Sequence, residues 1–278
     1  MRAIAGLSAT LAVASMVCAP GAVADPAPPG ATPLASLDAC PPGNRGEPPV
    51  LLIHGTNASV EKSLGPTRQA LLDDGRCVYG LDYDSMQPVS TSVDYFAAAV
   101  DRIIELNPRT TVDVVGKSQG ALIARAVSLK FTDPERNSIR RVVSISGPQH
   151  GVTEVVGGID ITALGAGTPV FNLLRRDALR DMLIGSPYLS ALNAGPLTAP
   201  NVRYTMIATE TDRLVTPYTS GFIDAANVTN VLLQDGCPQD RAGHLAESTD
   251  PRTIDLTLHA LDPTRHPEVR CLPNTDER

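Results

Sequence analysis

Val50 to Ile53 (VLLI) is an apolar run with no alternation, the pattern of a strand in a parallel sheet covered on both faces. Further strands are expected at Cys77–Leu81, Thr111–Val115, Arg141–Ser146, Arg203–Ala208 and Val228–Leu233. Helical patterns lie between them. Gly65–Asp73 has Pro66 in its first turn, and Asp94–Leu106 sets Phe96, Val100, Ile103 and Ile104 at helical spacing before Pro108. Gln119–Lys130 is a proline-free run of good helix formers, and Arg252–Leu261 closes the series. Strands alternating with helices predict an α/β fold, a mainly parallel sheet with helices on both faces. Between Gly151 and Pro200 the alternation breaks into Gly-rich turns and helical pieces at Val170–Leu183 and Tyr188–Leu192, each with an apolar face. An insertion at 151–200 hangs over the carboxyl ends of the strands, where ligands bind in open α/β sheets. It reads as a cap-like wall, as an ordinary pair of packing helices, or as both.

The first residues change the picture of what folds. Arg2, the apolar run Ala3–Ala19 and the small-residue pattern Ala22-Val23-Ala24 predict a secretory signal peptide over 1–24. A Pro/Ala-rich, flexible arm follows over 25–39, leaving 40–278 as one domain. Export would remove Arg2 and take the formal charge from -7 to -8. With no Lys/Arg cluster, that balance argues against nucleic acid or an anionic membrane as main partner. Cys18 lies in the signal, so Cys40, Cys77, Cys237 and Cys271 remain. Four cysteines in an exported chain suggest two disulfides with three pairings. Cys40 with Cys77 and Cys237 with Cys271 is the most local of these. No C-x-x-C or His/Cys cluster suggests a metal.

The chemistry gathers at Gly116-Lys117-Ser118-Gln119-Gly120, a G-x-S-x-G motif between an expected strand and an expected helix. That context puts a strained serine on a tight turn with its hydroxyl exposed above the sheet. A serine hydroxyl needs a base, and the base needs an orienting carboxylate, in chain order Ser, Asp/Glu, His. Of five histidines, His54 and His150 come in the wrong order or place, His259 is inside the last helix and His266 is in the polar tail. His244 is left, between the last strand and the last helix. For the acid, Asp212 stands just beyond the strand at 203–208, with Glu210 in reserve. Asp224, Asp235 and Asp240 read as turn or capping residues. Oxyanion donors are expected from the backbone N–H of Gln119 and from Thr56, whose hydroxyl would add a further donor. His54 would shape that loop without transferring protons.

The stretches VLLIHGTNAS, LLDDGRCVYGLDY, VVGKSQGALIAR, VSISGPQHG, GSPYLSALNAG and the run from Tyr204 through TETDRLVTPYTSGFI and VTNVLLQDGCPQDRAGH to ALDP carry a resemblance across most of 40–263. The sequence resembles the secreted, mostly actinobacterial triacylglycerol lipases related to fungal lipase B, members of the α/β-hydrolases. The resemblance implies a triad of Ser118, Asp212 and His244, oxyanion donors at Thr56 and Gln119, the two local disulfides, no cofactor, and hydrolysis of acyl esters by an acyl-enzyme route. A lipid or small ester is the expected partner, with a lipid–water interface as one place of action, and a monomer is expected. Two positions depart from the pattern: Lys117, where the family has His or an aromatic residue, and Ala121, where it has a second Gly. Lys117 has two readings, a contact with substrate or with a carboxylate on a neighbouring loop. The rival functions are a carboxylesterase for short-chain, soluble or polymeric esters and a catalytically silent hydrolase-fold binding protein.

Overall fold

The computed structural model describes residues 28–42, 46–108, 111–133, 138–153, 155–156, 159–160 and 177–274. The expected signal peptide lies outside the described residues, as do the first residues of the arm and much of the insertion, including Val170 to Arg176 of one expected helix.

Six strands form one sheet: β1 (Val50–Ile53), β2 (Val78–Gly80), β3 (Val112–Lys117), β4 (Ile139–Ile145) and, after a separate two-stranded ribbon of β5 (Val155–Val156) and β6 (Ile159–Asp160), β7 (Arg203–Ala208) and β8 (Val228–Leu232). Their order is β2-β1-β3-β4-β7-β8 and every pairing is parallel. The helices are α1 (Val60–Asp73), α2 (Val89–Leu106), α3 (Gln119–Ser128), α4 (Asp177–Asp181), α5 (Pro187–Asn193) and α6 (Pro251–Leu261). Alternate strand residues face opposite layers. Leu51, Ile53, Val114 and Val142 pack with Phe96 and Val100 of α2 and Leu122 and Ile123 of α3, while Val50, Leu52, Val115 and Val143 pack with Leu64 and Leu71 of α1 and Leu256 of α6. Burial on both faces is why the strands read as unbroken apolar runs.

Two helices start earlier than their sequence patterns predict. α1 begins at Val60 rather than Gly65, so Pro66 lies inside it. The Ser59 side chain accepts from the Lys62 amide, Asp82 Oδ1 accepts from the Val60 amide at 2.8 Å, and Val60, Leu64, Thr67 and Leu71 form a buried stripe. These contacts outweigh the helical hydrogen bond that Pro66 cannot donate. α2 begins at Val89 rather than Asp94, because Asp181 Oδ2 accepts the Val89 amide at 3.0 Å. Within the arm expected to be flexible, Thr32 meets the body: it donates its amide to Asp82 O at 2.9 Å, and Tyr95 Oη donates to Thr32 O at 2.7 Å.

Disulfides join Cys40 to Cys77 and Cys237 to Cys271. The first ties the arm to the start of β2. The second holds the tail across α6, where Asn274 O accepts from the Arg241 amide at 2.7 Å. Changing Cys237 and Cys271 together to Ser opens a loop with a sequence separation of 34. It is expected to lower unfolding free energy by about 2–4 kcal/mol. Urea denaturation reads this as a lower midpoint, and an unchanged midpoint would mean that the tail contributes nothing to stability.

Candidate active site

In the sheet order, β1 has β2 on one side and β3 on the other, so the chain reverses direction of winding there. The crevice outside the carboxyl ends at such a switch point is where α/β sheets bind ligands. The loop after β1 and Ser118 after β3 both lie there. Ser118 has φ 55 and ψ -124, conformations that L-residues avoid, and it donates its amide to Ile145 O at 2.8 Å. The two motif glycines make this turn sterically feasible. A Cβ on Gly116 would sit 2.3 Å from Gly120 O, and one on Gly120 would sit 2.1 Å from Ile53 O.

The turn aims the serine at a histidine. His244 Nε2 lies 3.0 Å from Ser118 Oγ, and His244 Nδ1 lies 2.7 Å from Asp212 Oδ2. An ionised carboxylate only accepts, so Nδ1 carries the ring proton and Nε2 is free to accept from the serine hydroxyl. Asp212 Oδ1 accepts the amides of Leu214 and Val215, each at 2.8 Å, which fixes the carboxylate in its loop. Burial tends to raise the Asp212 carboxyl, but the His244 hydrogen bond and charge and these two amides outweigh it and hold it below the usual range. Burial pushes the His244 imidazole down, the Lys117 charge pushes it further down, and Asp212 opposes both; the net direction is downward. Glu210, the reserve acid, is exposed and uses its amide on Gln234 Oε1 at 3.1 Å.

The loop after β1 is built around His54. This ring is buried, its Nε2 accepts the Tyr83 amide at 3.3 Å, and its Nδ1 therefore donates to Gly55 O at 2.8 Å. Thr56 follows. Its hydroxyl, expected to point free as an extra oxyanion donor, donates instead to Gln119 Oε1 at 2.7 Å, tying this loop to the first residue of α3. The Gln119 amide is one of the first N–H groups of that helix, which have no partner within it.

Lys117 answers the question the motif left open. Its Nζ lies 2.9 Å from Glu247 Oε2, with the side chains only 4% and 0% exposed. Ser146 Oγ donates to the same carboxylate oxygen. Glu247 was not evident among the candidates, although a lysine inside an otherwise buried strand calls for a carboxylate partner. Burial pushes the Glu247 carboxyl up, against the pull of Lys117.

Above Ser118 opens a cleft of about 690 Å³. Leu179, Met182 and Leu183 from the insertion, with Val152, Leu214, Val215 and Leu245, give it apolar walls, and Thr56, Lys62, Ser63 and Arg213 supply polar positions. Leu214 and Leu245 are 56% and 65% exposed, an apolar rim.

The parallel sheet, the two helical layers and the strand–turn–helix serine define an α/β-hydrolase fold. Within it the chain belongs to the palmitoyl protein thioesterase family, whose model matches residues 49–188. Among solved structures it is similar to Aspergillus fumigatus lipase B, at 22% identity and a TM-score of 0.65, covering 84% of this chain and 59% of that one. The chain thus spans about three-fifths of the length of that lipase. It is also similar to the mature form of Bacillus licheniformis lipase BlEst2 (14% identity, TM-score 0.58, 78% of this chain and 93% of that one) and to Est1E from Butyrivibrio proteoclasticus (15%, 0.52, 82% and 90%). These likenesses are of fold. Comparison with curated proteins gave no match.

The positive φ of Ser118 has a measurable energetic side. Strain at such a residue costs about 1–3 kcal/mol, and glycine relieves it. Ser118→Gly is therefore expected to be more stable than Ser118→Ala by about 1 kcal/mol after glycine's extra unfolded-state entropy is set against the relief. Thermal melts of the two variants would check this, and an alanine variant at least as stable as the glycine one would contradict the strain.

Proposed function

We propose that the chain is an exported serine ester hydrolase of the lipase type that cleaves apolar acyl esters, triacylglycerols first among them, through an acyl-enzyme intermediate. The observation that carries the reading is the unbroken hydrogen-bonded series Ser118–His244–Asp212 at the floor of an apolar-walled cleft. His244 takes the hydroxyl proton as Ser118 Oγ attacks the ester carbonyl, and Asp212 stabilises the imidazolium that results. The backbone amides of Gln119 and Thr56 serve the oxyanion, with the N-terminal dipole of α3 behind the first. His244 then protonates the departing alcohol, and water, deprotonated by the same ring, releases the acid. Leu214 and Leu245 at the rim support an apolar substrate or a lipid–water interface. Two disulfides and the apolar leader support export.

A second reading has its own observation. The family match points to long-chain thioesters on proteins, for which the same machinery would expel a thiol in place of an alcohol. Rates on emulsified triacylglycerol, on soluble esters of rising acyl length and on an S-palmitoyl cysteinyl peptide separate the two.

A fluorophosphonate probe is expected to label the intact protein and not Ser118→Ala; an unlabelled intact protein would make the fold a binding scaffold. Asp212→Asn is expected to lower kcat by roughly 10³–10⁴-fold, whereas Glu210→Gln leaves it nearly unchanged. Only the neutral imidazole is a base, and His244 lies below the ordinary value of 6.5. Turnover should accordingly persist below that pH and fall as the pH drops through the lowered value. A kcat/KM profile with its acid limb above 6.5 would contradict the assignment.

A further inference from the structure

We infer that Lys117 and Glu247 are positioning residues for this reaction: their buried ion pair clamps the loop that carries His244 to the strand that carries Ser118, and it sets a fixed positive charge beside the imidazole. The inference rests on the serine-hydrolase reading and deepens it.

The geometry joins three segments at one oxygen. Lys117 is the last residue of β3 and precedes Ser118; Ser146 follows β4; Glu247 stands three residues after His244. Both Lys117 Nζ and Ser146 Oγ reach Glu247 Oε2, and the Glu247 amide returns to Gly243 O at 2.9 Å, bracketing His244. Ser146 is itself held at φ 44. A merely stabilising contact has little reason to be ionic here, because two charges taken out of water recover their desolvation cost only with difficulty, and an apolar pair of similar volume serves as well.

Its place beside the histidine supplies the reason. Asp212 from the loop after β7 and Ser118, just after β3, meet His244; Lys117 adjoins Ser118 and its partner Glu247 follows His244 by three residues, and Lys62 of α1 and Arg213 line the same cleft. Glu247 and Asp212 are close enough to repel each other. Without Lys117, His244 would lose the positive charge that opposes its protonation, and its protonated form, which cannot deprotonate Ser118, would be favoured. With Lys117, the clamp is neutral as a pair and Asp212 alone holds the imidazolium. Lys117 accordingly pushes His244 down after burial has done so.

The test uses the acid limb of kcat/KM in the full chain, with Lys117→Met, Glu247→Gln, Lys117→Arg and the apolar double variant Lys117→Met/Glu247→Leu. Lys117→Met is expected to move the limb up by about one pH unit and Glu247→Gln to move it down, while Lys117→Arg keeps it near the parent. The double variant should return the limb towards the parent yet lose about tenfold in kcat with little change in KM, because the loop is no longer clamped. Opposite shifts show that both charges act on His244, and the loss of kcat in the double variant at a near-parental limb is what a passive ion pair would not give. Shifts in the same direction, or no shift with parental kcat in the double variant, would overturn the inference. Should either single variant fail to fold, imidazole titration by NMR in a Ser118→Ala background compares Lys117→Arg with the double variant; the inference requires an unchanged His244 titration in Lys117→Arg and, with Ser118 in place, the roughly tenfold loss of kcat in the double variant. Failure of the hydrolase reading is seen separately, as a parent protein with no Ser118-dependent turnover.

Discussion

The close approach of α3 to the end of β1 is the constraint on which the rest depends. Gly120 lies so near the carbonyl oxygens of Ile53 and His54 that no side chain fits, and Gly116 lies equally near Gly120 O. A helix drawn in this far leaves the connecting residue a single way round, the positive φ of Ser118. The cost of that conformation is met by strands and helices buried on both sides, with Val114, Val115, Leu122 and Ile123 all at 0% exposure. The same approach brings the first amide of α3 beside the loop of Thr56 and sets Ser118 Oγ 3.0 Å from His244 Nε2. A methyl at either glycine would displace the hydroxyl by more than such a hydrogen bond tolerates, and misplacement near 1 Å can cost about a hundredfold in rate.

Strand order along the chain was legible because burial on both faces writes each strand as an apolar run, and the convergence of Ser118, Asp212 and His244 in space was legible because their order and their places after strands are local facts. What escaped were features decided by residues far away in sequence. The start of α2 depends on Asp181, and the start of α1 on Asp82 as well as on the nearby Ser59. A window around Val60 or Val89 does not contain the carboxylate that fixes that start, and Pro66 alone misleads. Lys117 announced a missing partner but not which of the many acids would meet it, since Glu247 lies 130 residues on. Thr56 looked like a free hydroxyl because nothing in its own loop indicates that Gln119 Oε1 sits within 2.7 Å.

Buried positive charge is handled in two different ways around the serine. Arg125, on α3 and fully buried, meets no carboxylate among the described residues: its Nε donates to Gln149 Oε1 and its Nη2 to Asn193 Oδ1, both at 2.7 Å, and its Nη1 to Leu197 O at 3.3 Å. Burial lowers its pKa to about 10, still far above neutrality. A delocalised guanidinium with several donors can spread its charge over neutral acceptors in this way. The compact ammonium of Lys117 has no such option and takes a carboxylate. The distinction matters for the site, since Arg125 anchors the insertion's last helix to α3 without adding a negative charge, whereas Lys117 needs one that lies close to His244.

The described part of the insertion is fastened rather than draped over the cleft. Asp181 Oδ2 accepts from α2, Ser186 Oγ donates to Asp181 O, the Val152 amide donates to Met182 O and the Ile184 amide to Val152 O, while Gly151 packs so tightly on Ile184 that a Cβ would stand 2.7 Å from its nitrogen. Leu179, Met182 and Leu183 thus present a fixed apolar wall to the space above Ser118. A rigid hydrophobic wall distinguishes acyl chains only by the contacts each methylene gains or loses, worth about 1–3 kcal/mol apiece. Under the proposed ester hydrolysis, preference among acyl lengths should then be graded along the series, and sharp discrimination would have to come from the polar positions around the ester itself, where a group left unpaired is far more costly than a methylene left out.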